Sequence, residues 1–185
     1  MKGKLIKRLE KLLGEENITT RPEDLLCYSF DATREEFIPD VVVFPSTPEE
    51  VVKIMELAWE EEVPVIPRGA GSGFTGGSLP VKGGMVVSTE KMNRILEIDE
   101  RNLSALVEPG VVTGELQQTV EALGLFYPPD PASLTFSTLG GNVAENAGGP
   151  RAVKYGVTRD YAVSYTHLRA HETSLHLVCR LLLEK

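Results

Sequence analysis

The sequence predicts an α+β protein, with a small parallel α/β subdomain followed by a stretch of antiparallel α+β character. Three observations lead there. Val41–Pro45, Val63–Pro67 and Met85–Ser88 are short continuous apolar runs, which read as buried strands. A helix start, Thr47-Pro48-Glu49-Glu50, stands between the first two, a capping box with Pro at the first helical position. Strand, helix, strand, loop, strand in that order implies a parallel unit with a right-handed crossover. Beyond it, Ile95–Asp99 and Leu103–Val107 flank Glu100-Arg101-Asn102, a hairpin signal.

The remaining elements follow from periodicity and punctuation. Leu5, Leu9, Leu12 and Leu13 share one face of a helix over Lys2–Leu13, which Gly14 stops. Thr20-Arg21-Pro22-Glu23 reads as a second capping box, opening a short helix through Leu26. Tyr28–Pro39 has no period and reads as a loop. The helix from Pro48 runs to about Glu61, with Val51, Ile54, Met55, Ala58 and Trp59 as its inner face. Later, Glu108-Pro109-Gly110 is a turn, Thr113–Leu123 a helix ended by Gly124, and Pro128-Pro129-Asp130-Pro131 a rigid extended link.

Composition narrows the function. The 185 residues make one or two domains, 42% apolar and 25% charged, as in ordinary globular proteins. A net charge of −8 argues against nonspecific binding to nucleic acid or anionic membranes. Two cysteines, Cys27 and Cys179, are too few for a disulfide framework and fit a reducing cytoplasm. The basic start, MKGKLIKRLEKLLG, has no long apolar core and no small-residue cleavage site. No run approaches the ~18 apolar residues of a membrane span.

The chemistry concentrates after the second strand run, in VPVIPRGAGSGFTGGSLP. Five glycines fall between Gly69 and Gly77. Glycine tolerates positive φ and lets main chain approach a ligand closely. A loop of this kind at a strand end turns successive N–H groups toward an anion, so a phosphate or pyrophosphate is the implied guest. Arg68, at the mouth of the loop, offers a charge. Gly71-Ser72-Gly73-Phe74-Thr75-Gly76 also matches G-x-G-x-x-G, but Gly77-Ser78-Leu79-Pro80 is a poor helix start. The next strand follows too soon for a crossover helix, so the dinucleotide fingerprint is set aside. A second Gly/Asn-rich segment, Leu139–Gly149, leaves two readings open. One is close contact with a flat or polyanionic ligand, the other an irregular loop held by Asn side chains.

Four motifs in order, VVVFPSTPEEV, VPVIPRGAGSGFTGG, VEPGVVTGEL and PPDPASLTFSTLGGNVAENAGGPRAVKYG, resemble one family. They are similar to the FAD-binding half of flavin oxidoreductases of the vanillyl-alcohol-oxidase/PCMH type, especially the glycolate oxidase FAD subunit and D-lactate dehydrogenase group. The resemblance implies a PCMH-type fold whose antiparallel part is incomplete here, and non-covalent FAD. It implies that Arg68, Gly69, Ala70, Gly71, Ser72 and Gly73, with Gly77, wrap the FAD pyrophosphate. Pro131, Ser137, Thr138, Gly140, Gly141, Asn142, Ala144 and Asn146 then line the flavin and its ribityl–phosphate chain. The implied reaction is oxidation of a D-2-hydroxy acid by hydride transfer to flavin N5. Its base and carboxylate ligands lie in a C-terminal cap, so no catalytic residue is named here. An electron-transfer partner subunit is a further implication. The alternative function is a non-catalytic flavin-binding subunit that relies on a partner chain.

The resemblance divides the chain into an N-terminal helical segment over residues 1–40, a truncated FAD-binding domain over 41–163 and a tail over 164–185. The tail, SYTHLRAHETSLHLVCRLLLEK, resembles translated adapter or vector sequence and holds all three histidines. His167 and His171 stand i, i+4, but the pair is not H-E-x-x-H, and no metal site is assigned. The tail reads instead as an amphipathic helix on Leu168, Leu175, Val178 and Leu182. With such an ending, the sheet at Ile95–Val107 is expected to keep an unpaired edge.

Overall fold

The computed structural model describes residues 2–165 and 179–183. The chain forms two compact units, divided between Lys91 and Met92.

In the first unit the elements are α1 (Lys2–Leu13), β1 (Ile18–Thr19), α2 (Pro22–Cys27), β2 (Val41–Val43), α3 (Pro48–Glu60), β3 (Val65–Arg68) and β4 (Met85–Ser88). The sheet order is β1-β2-β4-β3. β2, β4 and β3 are parallel, and β1 adds antiparallel to β2. One face packs on α1 and α3 through Leu5, Leu9, Leu13, Ile54 and Ala58 against Val41, Val43, Met85 and Val87. The other face packs Val42, Val86 and Leu25, with Tyr28, Phe44 and Ile66 beside them. The first 40 residues therefore share their core with the parallel strands.

Four details depart from the sequence expectations. Val63–Pro67 was expected to be a buried strand. The strand is Val65–Arg68, half-buried at the sheet edge, where the missing N–H of Pro67 is tolerated. Thr20 does not cap α2. Its N-cap is Arg21, without a side-chain bond, while the Thr19 hydroxyl donates to Asp24 at 2.6 Å. Trp59 is 60% exposed, one position past the buried stripe of Val51, Ile54 and Ala58. Thr47 does cap α3, but Glu50 reaches back to the Ser46 N–H (2.7 Å).

The second unit contains β5 (Ile95–Asp99), β6 (Ser104–Val107), α4 (Thr113–Glu121), α5 (Leu139–Glu145), α6 (Ala152–Tyr155), α7 (Thr158–Tyr161), β7 (Ala162–Tyr165) and β8 (Cys179–Leu182). Its sheet is antiparallel, in the order β5-β6-β8-β7. The core joins Ala105, Val107, Leu116, Val120, Tyr127, Leu139 and Leu181. Among the described residues β8 pairs along β6, while β5 stays at the edge of the sheet, so the open side expected at Ile95–Val107 is on β5. The tail histidines, and Leu168, Leu175 and Val178, lie outside the described residues. Leu182 belongs to β8 rather than to a helix.

Of the Gly/Asn-rich segment Leu139–Gly149, for which two readings were open, Leu139–Glu145 forms a short helix rather than an irregular loop. Thr138 caps α5, and Asn146 ends it in the left-handed conformation (φ 53°). Gly140 is needed there for packing, since a Cβ would stand 2.6 Å from Pro109 Cβ.

Candidate functional site

Within the first unit the Gly-rich loop follows β3, at the carboxyl ends of three parallel strands, where open α/β sheets place their ligands. Gly71 (φ 64°) and Gly76 (φ 73°) adopt the left-handed region that favours glycine. The main-chain N–H groups of Gly69, Ala70, Gly71, Ser72 and Gly73 find no acceptor among the described residues. Further on, Gly77 donates its N–H to Thr75 Oγ1 at 3.3 Å. A run of free donors on a turn of this kind has the form of a backbone nest, which can receive an anion.

Arg68 is not at the mouth of this loop but beneath it. It is only 5% exposed. Its Nη2 donates to the Phe30 carbonyl (2.8 Å) and its Nη1 lies 3.5 Å from Ser78 Oγ. The guanidinium also lies 5.7 Å from the Tyr28 ring centroid. Burial lowers its pKa from the usual guanidinium value, against the pull of Asp31. On β4, Ser88 is the register partner of Arg68. Its Oγ is fully buried and has no hydrogen-bond partner among the described residues. Sequence reasoning passed over this hydroxyl. Its one signal was a polar residue closing an apolar strand beside the glycine loop.

The other predicted residues gather in the second unit. Asn142 Nδ2 donates to Thr113 Oγ1 at 2.7 Å, and Thr113 Oγ1 donates to the Ser137 carbonyl at 3.0 Å. Thr138 Oγ1 accepts from the Gly141 N–H at 3.4 Å. Gly140 donates its N–H to the Pro109 carbonyl (2.8 Å), and Asn146 Oδ1 accepts from the Arg159 N–H (2.9 Å). The polar side chains here are engaged within the protein. Ala144 is exposed, and Pro131 and Gly141 are partly so.

Residues 39–177 match the family described as the FAD binding domain. The chain belongs to that family. Its cofactor is FAD, and the free donors over residues 69–73, the glycine cradle and the unpaired Ser88 hydroxyl fit a polyphosphate-bearing nucleotide. Among relatives, the glycolate oxidase subunit GlcD of Bacillus subtilis is 47% identical over 157 residues. That match covers 84% of this chain and 33% of the relative. A D-lactate dehydrogenase of Anaerostipes hadrus is 47% identical over 128 residues, covering 69% of this chain and 27% of the relative. This FAD-binding domain thus spans about a third of the length of the curated relatives it matches. Among solved structures, alkyldihydroxyacetonephosphate synthase matches with a TM-score of 0.83 at 25% identity, over 98% of this chain and 43% of the other. p-Cresol methylhydroxylase matches with 0.70 at 25% identity, over 78% and 29%. The fold is of the PCMH type.

Elsewhere in the first unit, a cavity of about 550 Å³ is lined by residues including Thr19, Arg21, Asp24, Tyr28 and Phe44. Asp24 is there paired with Arg21 at 2.8 Å. The Thr19 bond first, then Arg21, lowers the Asp24 pKa below the usual carboxylate value. Among the described residues, no group of three His, Cys, Asp or Glu side chains is placed to hold a metal. Nor is any described helix long and apolar enough to cross a membrane.

Proposed function

We propose that this chain is the FAD-binding portion of a flavin-dependent oxidoreductase that oxidises a D-2-hydroxy acid of the glycolate or D-lactate class. The observation that carries the reading is 47% identity to two relatives named for those acids. The main-chain N–H groups of Gly69–Gly73 hold the pyrophosphate. Pro131, Gly141 and Ala144, with the main chain at Ser137, Thr138, Gly140, Asn142 and Asn146, line the flavin and ribityl chain. Bound FAD, held without a covalent link, supplies the two-electron acceptor for the α-hydrogen of the acid. The protein's part in this portion is to bind and orient; we assign the proton-accepting base to no residue of this chain. Two cysteines in 185 residues suit a reducing cytoplasm.

A second reading is a flavin-holding subunit completed by a partner chain. The test is purified protein titrated with FAD, then assayed for dye reduction with D-lactate or glycolate. We expect FAD binding that ADP competes away, and no dye reduction by the chain alone. Failure to bind FAD overturns the cofactor site. Turnover without any partner overturns the division of labour, since binding alone is then not this chain's whole part.

A further inference from the structure

We propose that Arg68 is the positioning residue of the nucleotide loop, pinning it from below to the N-terminal segment 28–32 rather than meeting the phosphates itself. The proposal rests on the pyrophosphate reading above.

Arg68 touches three separate pieces of chain. Nη2 bonds the carbonyl of Phe30, 38 residues earlier (2.8 Å). Nη1 approaches Ser78 Oγ, at the far end of the loop (3.5 Å). The flat guanidinium also fills the space under Gly71, where a Cβ would stand 2.3 Å from Nη2 and 2.5 Å from Cζ. A second tie runs the same way, from the Ala32 N–H to the Gly73 carbonyl (3.2 Å). The Arg68 carbonyl is itself held by the Thr89 N–H (3.0 Å), so the pin is anchored in the sheet.

Geometry rather than charge is what this position uses. A guanidinium presents donors in a rigid planar fork, whereas an ammonium is a compact point charge. Lysine cannot reach Phe30 and Ser78 together while lying flat under Gly71. The segment 28–32, outside the four motifs, thereby becomes part of the nucleotide site's framework.

Hydrogen–deuterium exchange on the full chain without FAD tests this, comparing wild type with Arg68→Lys. We expect the bonded amides at Ala32, held by the Gly73 carbonyl, and at Gly77 and Leu79, at the far end of the loop, to exchange at least tenfold faster together, with β4 and α3 unchanged. Loosening of neither segment, or of only one, overturns the pin. Should β4 also lose protection in Arg68→Lys, Gly71→Ala replaces it, since the added methyl displaces the guanidinium with its charge intact; the same paired loosening is expected. A second readout separates shape from charge. Arg68→Met should weaken FAD binding at least tenfold yet keep the wild-type dependence of Kd on salt. A flattened salt dependence, or full affinity retained in Arg68→Lys, places the charge on the phosphates and overturns the proposal. In wild type, FAD that leaves the 69–78 amides unprotected sinks the pyrophosphate reading alone, because the pin is judged without FAD.

Discussion

Asn142 donates from Nδ2 to Thr113 Oγ1 at 2.7 Å, joining the first turn of α5 to the first turn of α4 inside the second unit. Both residues are buried, at 4% and 0% exposure. Ser137 completes the group, its Oγ lying 3.0 Å from the same Thr113 oxygen.

Thr113→Val should therefore destabilise the protein by about 1–3 kcal/mol, because the Asn142 amide is left buried without its acceptor. Urea unfolding reads this as a lower midpoint at constant slope. An unchanged midpoint means the triad does not hold the two helices together.

Gly71→Val and Gly73→Val should each abolish flavin retention, measured as visible flavin absorbance per protein after gel filtration. At Gly71 the structure gives a sharper cause than crowding of the phosphates. The residue sits at φ 64°, and its Cβ would collide with Arg68. Wild-type flavin content in Gly71→Val means the loop tolerates an open form and does not carry the diphosphate.

The parallel unit was legible because Val41–Val43 and Met85–Ser88 are buried outright and their apolar runs show it. The glycine loop was legible by composition. The Arg68 contacts were not, since Phe30 lies in an aperiodic stretch and a carbonyl has no side-chain signature. The packing part of Gly140 was hidden for a related reason, since a glycine pressed against a neighbour, here Pro109, carries no mark of it in the sequence. The strand at β8 was hidden because its leucines also suit a helix, and only pairing with β6 and β7 decides between the two.

Tyr28 should be late to ionise. Burial first, then the charge and hydrogen bond of Glu90 (3.2 Å), push its pKa well above the ordinary phenol value. The unfolded phenol ionises near pH 10. A raised folded value makes its contribution complete below about pH 10 and lost as pH rises toward the folded value. Tyr28→Phe keeps the edge contact with Phe44 (5.6 Å) but has no proton to release. Its stability should fall less steeply than that of wild type on the alkaline side. Identical slopes in the two proteins would show that Tyr28 titrates alike folded and unfolded.

Ser88→Ala separates the protein alone from the protein with FAD. The Ser88 hydroxyl is buried on the same strand end as the loop and has no partner among the described residues. Leaving such a group unsatisfied costs about 1–3 kcal/mol, so removing it should leave the FAD-free protein as stable as wild type or more so. If the hydroxyl belongs to the nucleotide site, it finds its acceptor when FAD binds, and the variant gains less stability from FAD at a fixed excess. Thermal melts with and without FAD measure both quantities in one experiment. Equal gains in variant and wild type would remove Ser88 from the site and leave the cradle to the main chain of residues 69–73 alone.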